Sequence, residues 1–490
     1  MPDAERQQFF ATPMHRVAVS DFPLPEGLIA AAVGSGPDSL LRVWPAAASD
    51  PDWRARPPDG QVGYRSTSFS LVNTGNRTLN RPKRSWRVNV SPGNDNDDVA
   101  GMARLSLKSM INDPSQMRES LCWGLFGRAG VHASRHTHAT LTINGRYLGL
   151  YGVVEDVDRR FLRDRFGAND RGNLYKAACG TRGCATLERR VGAGGEDDGS
   201  QYRRRPEDDR RFEPTYDLRT NEDDAGENTY DDLAEFVRAV HGVGLPGGFD
   251  TDAYRERVER IFDVRAFLRW AAVNVLVSGW DNYFATPSNY FLYNSGRLGG
   301  ERDFMTDPFF TFLPWDYDNT FGIDYFGTRW QDTPLTDWPA NTEAYQRFNG
   351  GSGRSSIPLV QNLMRNRDFL GYYLDRVEDL LDTLFTVASI DRLTVGPGGL
   401  WDVITPDVYW EADTPWGTPF SGRQFTNDEV YRTAFLQHEL RRPDAMIEGI
   451  RHYTLMRLDR ARAELATLRR SIPRGPSAAL PRSPDPLPPR

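Results

Sequence analysis

The chain has 490 residues, 39% of them hydrophobic, and a formal net charge of −7. That is enough apolar side chain for a sizeable core, and Lys and Arg are mixed with Asp and Glu throughout, without the basic stripe that nucleic-acid binding needs. No apolar run approaches the roughly 20 residues of a membrane helix; the best stretch, Ala271 to Val277, is short and carries Asn274.

The N-terminus, MPDAERQQFF, lacks a secretory pattern, so the expectation is a cytoplasmic protein, or a secreted or cell-surface one if an export signal is missing from this sequence. Of the three cysteines, Cys179 and Cys184 are close enough to form one local bridge in an oxidising compartment. Cys122 falls within a helical pattern and reads as buried.

In chain order, residues 1–61 read as an irregular N-terminal segment with one or two strands. Residues 62–177 change character. SFSLV (68–72) and SWRVNV (85–90) alternate like strands around the turn TGNRTLNRPK. Asp113 and Pro114 then suggest a helix start, with Gly127 or Gly130 as its stop. ATLTINGRYLGLYGVVE predicts two strands joined by Asn144-Gly145, the strongest short hairpin signal, and VDRRFLRDRFG predicts a helix. Residues 178–230 include a charged, glycine-rich stretch and read as a surface insertion. Residues 231–472 open with helical periods, continue with the aromatic strands NYFLY and FTFLPW, and close on the amphipathic segment 452–470. Residues 473–490 read as a mobile tail.

Two stretches carry chemistry. In SGWDNYFATPSNYFLY, an apolar helix ends near Gly279, Asp281 follows on a loop, and Asn289 opens a strand. In LPWDYDNTFG, a strand delivers Asp316 and Asp318, whose alternate positions lie roughly 6–7 Å apart on one face. Two such carboxylates repel each other, and a divalent cation relieves the repulsion. A loop Asp, an Asn, two strands and a second Asp before Phe-Gly is the order that phosphoryl transfer requires. His132, His136 and His138 form a separate cluster, but no HExxH or CxxC accompanies them, and a structural role is preferred to a zinc site.

Several ordered blocks resemble the CotH (spore-coat protein H) kinase family. They are NRTLNRPKRSWRVNV, NDPSQMRESL, LTINGRYLGLYGVVEDVDRRFL, GNLYKA, NYFLY and PWDYDNTFG, and they cover about residues 62–325. The resemblance implies an α+β, atypical two-lobed protein-kinase-like fold, with a small β-rich N-lobe and a mainly helical C-lobe with insertions. It implies an atypical Ser/Thr protein kinase using ATP and Mg²⁺ or Mn²⁺ on a protein substrate; the charge distribution and the lack of a long apolar run add the expectation of no nucleic-acid or membrane partner. Carried onto matching positions, Asp281 becomes the catalytic Asp, and Asn289, Asp316 and Asp318 face the metal. Lys83 or Arg87 would hold the ATP phosphates, Glu119 would orient that base, and Glu155 would meet the adenine end. Thr74, Arg87 and Trp280 depart from the family pattern. Two alternatives therefore stand beside the kinase: an inactive CotH-like binding or adhesion module, and a kinase-fold AMP transferase.

Overall fold

Period-two alternation in the first half of the chain builds one large mixed sheet. The structure, a computed structural model, describes residues 2–25, 28, 30–46, 63–75, 79, 83–90, 99–180, 183–203, 214–297, 303–409, 439–441 and 445–473. The sheet's strand order is Val33–Gly34, Phe69–Thr74, Ser85–Val90, Arg104–Lys108, Arg146–Val154, His136–Ile143, Met14–Ser20, Leu40–Pro45 and Tyr64–Ser66. The pairing is antiparallel except where Met14–Ser20 runs parallel to His136–Ile143. Met14–Ser20, Val33–Gly34 and Leu40–Pro45 are thus woven into the sheet rather than appended to it, and Pro2–Ala11 is a helix. The hairpin turn falls at Asn144 and Gly145, both with positive φ (48° and 75°), the conformation a two-residue turn demands.

The two faces of this sheet feed two cores. Leu105, Leu107, Trp86, Val88, Tyr151 and Val153 pack on one side, together with Phe9 and Phe10 of the N-terminal helix. Leu150 and Val154 belong to the other side, with Leu121, Leu125 and Phe126 of the helix Arg118–Arg128. That second core continues into the helical half. Its centre is Val264–Val277, buried at every position except Arg265 and Arg269, as befits a helix enclosed on all sides. Asp252–Ile261 precedes it as a separate helix, the two divided where Asp263 caps the second.

A smaller antiparallel sheet orders Tyr216–Leu218, Asn173–Ala177, Tyr290–Asn294 and Phe310–Pro314. Part of the charged insertion is therefore structured: Leu187, Tyr202 and Tyr216 are buried in the main core, and Cys179 is bridged to Cys184. Residues 204–213 of the insertion, and the tail from 474, lie outside the described residues.

The helix expected after Asp113 begins four residues beyond Pro114, at Arg118. Asp113 instead closes the preceding turn, accepting from the Ser115 and Arg118 amides and from the Arg118 guanidinium. Arg118 also donates to the Glu448 carbonyl at 2.5 Å. Glu448 ends a strand, Met446–Glu448, that pairs with Ile323–Asp324 just after Phe321-Gly322. One buried guanidinium thus joins the helix start to the segment behind the Asp316 loop. Breaking a buried pair leaves a charge without its partner, at a cost of about 3–5 kcal/mol. Arg118→Met is expected to lower the urea midpoint accordingly. Asp113→Asn added to it should recover part of the loss, and an Arg118→Met protein as stable as wild type would contradict this account.

Candidate active site

The hairpin Tyr290–Asn294/Phe310–Pro314 explains how distant acidic residues meet. Tyr290 is the register partner of Pro314, so Asn289 and Trp315-Asp316 leave the same end of the hairpin. Asn289 then donates through its side-chain amide to the Asp281 carbonyl at 2.8 Å, which draws the Asp281 loop to that end. Asp281 is held by Thr286, whose hydroxyl donates to Oδ1 at 2.9 Å, and by Asn319, whose amide donates to Oδ2 at 3.3 Å. Asn112 donates in turn to Asn319 Oδ1. Asn289 and Asp316 both have positive φ (52° and 65°), a conformation unfavourable for side chains bearing a Cβ and one that clusters at functional sites.

The rear of the loop is fixed by close packing. Trp270 Nε1 donates to the Tyr317 hydroxyl at 2.6 Å, and Tyr317 donates to Asn274 Oδ1 at 3.1 Å. A Cβ at Gly279 would come within 2.7 Å of Asn274 Oδ1 and 3.0 Å of Tyr317, so the chain passes there only without a side chain. Trp280, a departure from the family pattern, donates to the Ile323 carbonyl and stacks on Trp330, so its role is packing behind the loop.

Facing these carboxylates is a lysine that the motif reading passed over. Lys108 Nζ lies 2.9 Å from Glu119 Oε1 and 2.6 Å from Asp316 Oδ1. Its strand, Arg104–Lys108, turns Leu105 and Leu107 to one core and Ser106 and Lys108 to the opposite face. Burial alone would lower the Lys108 pKa, but Asp316, Glu119 and Asp318 outweigh it and hold the ammonium well above its usual range. Glu119, expected to orient the phosphate-holding base, does pair with a lysine, but with this one. Burial raises its pKa, Lys108 opposes the rise, and its Oε2 is buried with no hydrogen-bond partner. Asp318 is pushed well above the carboxylate range by burial and then by Asp316 and Glu119. Lys108 opposes this and Asp281 adds to it.

The other expected nucleotide ligands lie elsewhere. Lys83 is 1% exposed, donates to the Leu150 carbonyl at 2.6 Å and sits over the Tyr151 ring. Glu155 is buried among Arg6, Arg135 and Arg165, with which it makes salt bridges. Its side chain serves that arginine cluster and is not presented to an incoming base. Arg87 does share a face with Lys108: its register partner is Ser106, and its Nε has no hydrogen-bond partner. Among the histidines, His138 is hydrogen-bonded to the Gln116 carbonyl, and burial lowers the pKa of His132. Among the described residues, no three His, Cys, Asp or Glu side chains form a ready metal cage.

Comparison with known proteins supplies the context. A profile of the family described as CotH kinase protein matches residues 72–394. The inner spore coat protein H of Bacillus subtilis is 24% identical over 331 residues, 68% of this chain and 76% of its own. Invasin CotH2 of Rhizopus delemar is 23% identical over 358 residues, 71% of this chain and 51% of its own, so the chain spans only about half of that relative. Invasin CotH3 of the same fungus is 21% identical over 75% of this chain and 54% of its own. With a family match across most of its length, and with Lys108, Glu119, Asp281 and Asp316 gathered by the fold inside that match, the chain belongs to the CotH kinase protein family.

Proposed function

We propose that the protein is an ATP- and divalent-metal-dependent phosphotransferase acting on a Ser or Thr hydroxyl of a protein, with a two-lobed kinase-like arrangement of its sheet-backed and helical cores. The observation that carries this reading is the ammonium of Lys108 shared between Glu119 and Asp316. Phosphoryl transfer needs little covalent help; it needs fixed positive charge at the phosphates and an oriented hydroxyl. Lys108 is placed to contribute that charge, pre-aimed by Glu119. Asp281, held through both oxygens, is placed to accept the hydrogen bond of the acceptor hydroxyl and take its proton as the bond to phosphorus forms.

The donor set also fits a divalent cation. Glu119, Asp316 and Asp318 face a single lysine, and Asp281 acts on Asp318; burial first, then Asp316 and Glu119, raise the Asp318 pKa, and Glu119 Oε2 is buried with no hydrogen-bond partner. Magnesium commonly takes one or two carboxylates and completes its shell with water and substrate phosphates, so a full protein cage is not required. Asp316 and Asp318 are the residues that would hold it. When bound, Mg²⁺ or Mn²⁺ would neutralise phosphate charge.

The Cys179–Cys184 disulfide, and relatives named for a spore coat and for invasion, support a location outside a reducing cytosol. The invasin names also favour a second reading, an adhesion module without transfer.

Incubation with γ-labelled ATP and Mn²⁺ or Mg²⁺ separates the two readings. Wild-type protein is expected to label itself or an acceptor protein. Lys108→Met should lower the rate about 10²–10³-fold. Asp281→Asn should lower it about 10²–10⁴-fold while ATP still binds. Label transfer by Asp281→Asn at the wild-type rate would remove Asp281 from its role, and ATP that neither binds nor reacts would favour the adhesion module.

Thermal melting tests the crowding of charge directly. The Asp318 pKa is raised in the fold, so folding favours its protonated form. Its stabilising contribution is present at pH below the ordinary carboxylate value, about 4, and is lost as pH rises through the folded value. Asp318→Asn is therefore expected to raise the melting temperature of ligand-free protein at pH 7–8, by about 2 °C. The gain should shrink toward pH 4, and Mg²⁺ should stabilise wild type more than the variant. A variant that melts lower than wild type at pH 8 would show that the carboxylates do not repel one another in this way.

A further inference from the structure

Glu155 and Asp156 are neighbours at the end of the strand Arg146–Val154, yet their side chains go to opposite places. Glu155 is enclosed by arginines on the side away from the site. Asp156 is half-buried, and its Oδ1 accepts from the Ser106 hydroxyl at 2.6 Å. Ser106 lies two residues before Lys108 on the same strand face, roughly 7 Å along. Asp156 therefore sits on the Lys108 face, one strand repeat and one hydrogen bond away from the place where phosphates would bind. Arg87, the register partner of Ser106, lies on that face as well, and its charge, like that of Arg104, reaches Asp156.

The two ends are tied by one apolar cluster. Val157, next to Asp156, and Trp315, next to Asp316, both pack on one small cluster built from Phe161, Leu162, Phe291 and Leu313. Lys108 Nζ stands 4.9 Å from the Trp315 ring. A face with a cation at one end and a carboxylate at the other is suited to a molecule with an anionic end and a hydrogen-bond donor. Asp156 Oδ2 has no hydrogen-bond partner among the described residues. An ionised carboxylate accepts and does not donate, so what it recognises must carry N–H or O–H.

We infer that Asp156 is a specificity-determining residue that accepts a hydrogen bond from the nucleoside part of the nucleotide, through the exocyclic amino group of the base or a ribose hydroxyl. The inference rests on the nucleotide-dependent reading of the site given above and assigns the end of that site which the sequence had given to Glu155. Burial raises the pKa of this carboxylate, and the Ser106 hydroxyl and the Arg87 charge oppose the rise.

Dissociation constants of full-length protein for ATP, for ITP, which lacks the amino group, and for 2′,3′-dideoxy-ATP, which lacks the ribose hydroxyls, test it in the presence of Mg²⁺. Wild type should bind one of the two analogues about tenfold more weakly than ATP, a charge-assisted hydrogen bond lost; which analogue suffers identifies the donor. Asp156→Ala should weaken ATP about tenfold and bring it level with that analogue. Asp156→Asn, which keeps the shape but not the charge, should move the same way by less. If both variants keep the wild-type order and spacing of the three nucleotides, the inference is wrong while the kinase reading stands. If wild type binds none of the three, the kinase reading fails and takes the inference with it.

Discussion

A single half-buried ammonium organises the site. Lys108 is bonded to Glu119, 11 residues away, and to Asp316, 208 residues away, so one charge ties a sheet strand, a helix and a loop from the other half of the chain. Such an arrangement persists only if each partner is anchored by something besides the lysine, because carboxylates that approach one another push themselves apart. The anchors are visible. Arg118, fastened to Asp113 and the Glu448 carbonyl, sets the first turn of the helix on which Glu119 is the next residue. Tyr317, locked to Trp270 and Asn274, holds the backbone between Asp316 and Asp318. Packing, neutral hydrogen bonds and the buried Arg118–Asp113 ion pair hold in place a set of charges that would otherwise separate.

Strand parity decides which charged residue reaches the site. Side chains alternate across a strand, so moving one position along it moves a charge from one core to the other. Lys83 and Glu155, which motif position singles out, lie just outside their strands, and both enter buried packing, one against a backbone carbonyl and the other in an arginine cluster. Lys108 and Asp156 share the face that carries Ser106. A motif that names a conspicuous charge without fixing its face can be one residue or one strand away from the chemistry.

Much of this was legible in the sequence. Asn144-Gly145 marked its hairpin, NYFLY and FTFLP are paired strands, and Asp281, Asp316 and Asp318 converge as their order implied. Glu119, assigned to orient Lys83 or Arg87, is paired with Lys108 instead. What escaped notice has physical causes. RLSLK is five residues long and has no β-branched or aromatic side chain to announce a strand, so the lysine it presents went unread. The strand MHRVAVS gave no sign of its partner, because the parallel pairing joins it to residues more than a hundred positions away. The helix start was misplaced because Asp113 has the chemistry of a cap but uses it on a turn and on the Arg118 guanidinium. Asn319, which holds Asp281, sits in the quoted motif and was overshadowed by the two acids before it.

The segment behind Asp316 bears on how the site stays assembled. After Phe321-Gly322, the chain enters a short strand, Ile323–Asp324, paired with Met446–Glu448. The Glu448 amide donates to the Gly322 carbonyl at 3.1 Å, and its own carbonyl accepts from Arg118. The loop and the helix therefore share one backbone support contributed by the closing hairpin, and neither shifts without disturbing the other. A helix free to swing would carry Glu119 away from Lys108 and leave the ammonium to Asp316 alone. Here the same residue that terminates the loop's sheet also receives the helix's first guanidinium, so the lysine's two carboxylate partners are positioned by one element. The charge geometry is accordingly a property of the folded chain itself, present before any ligand contributes to it.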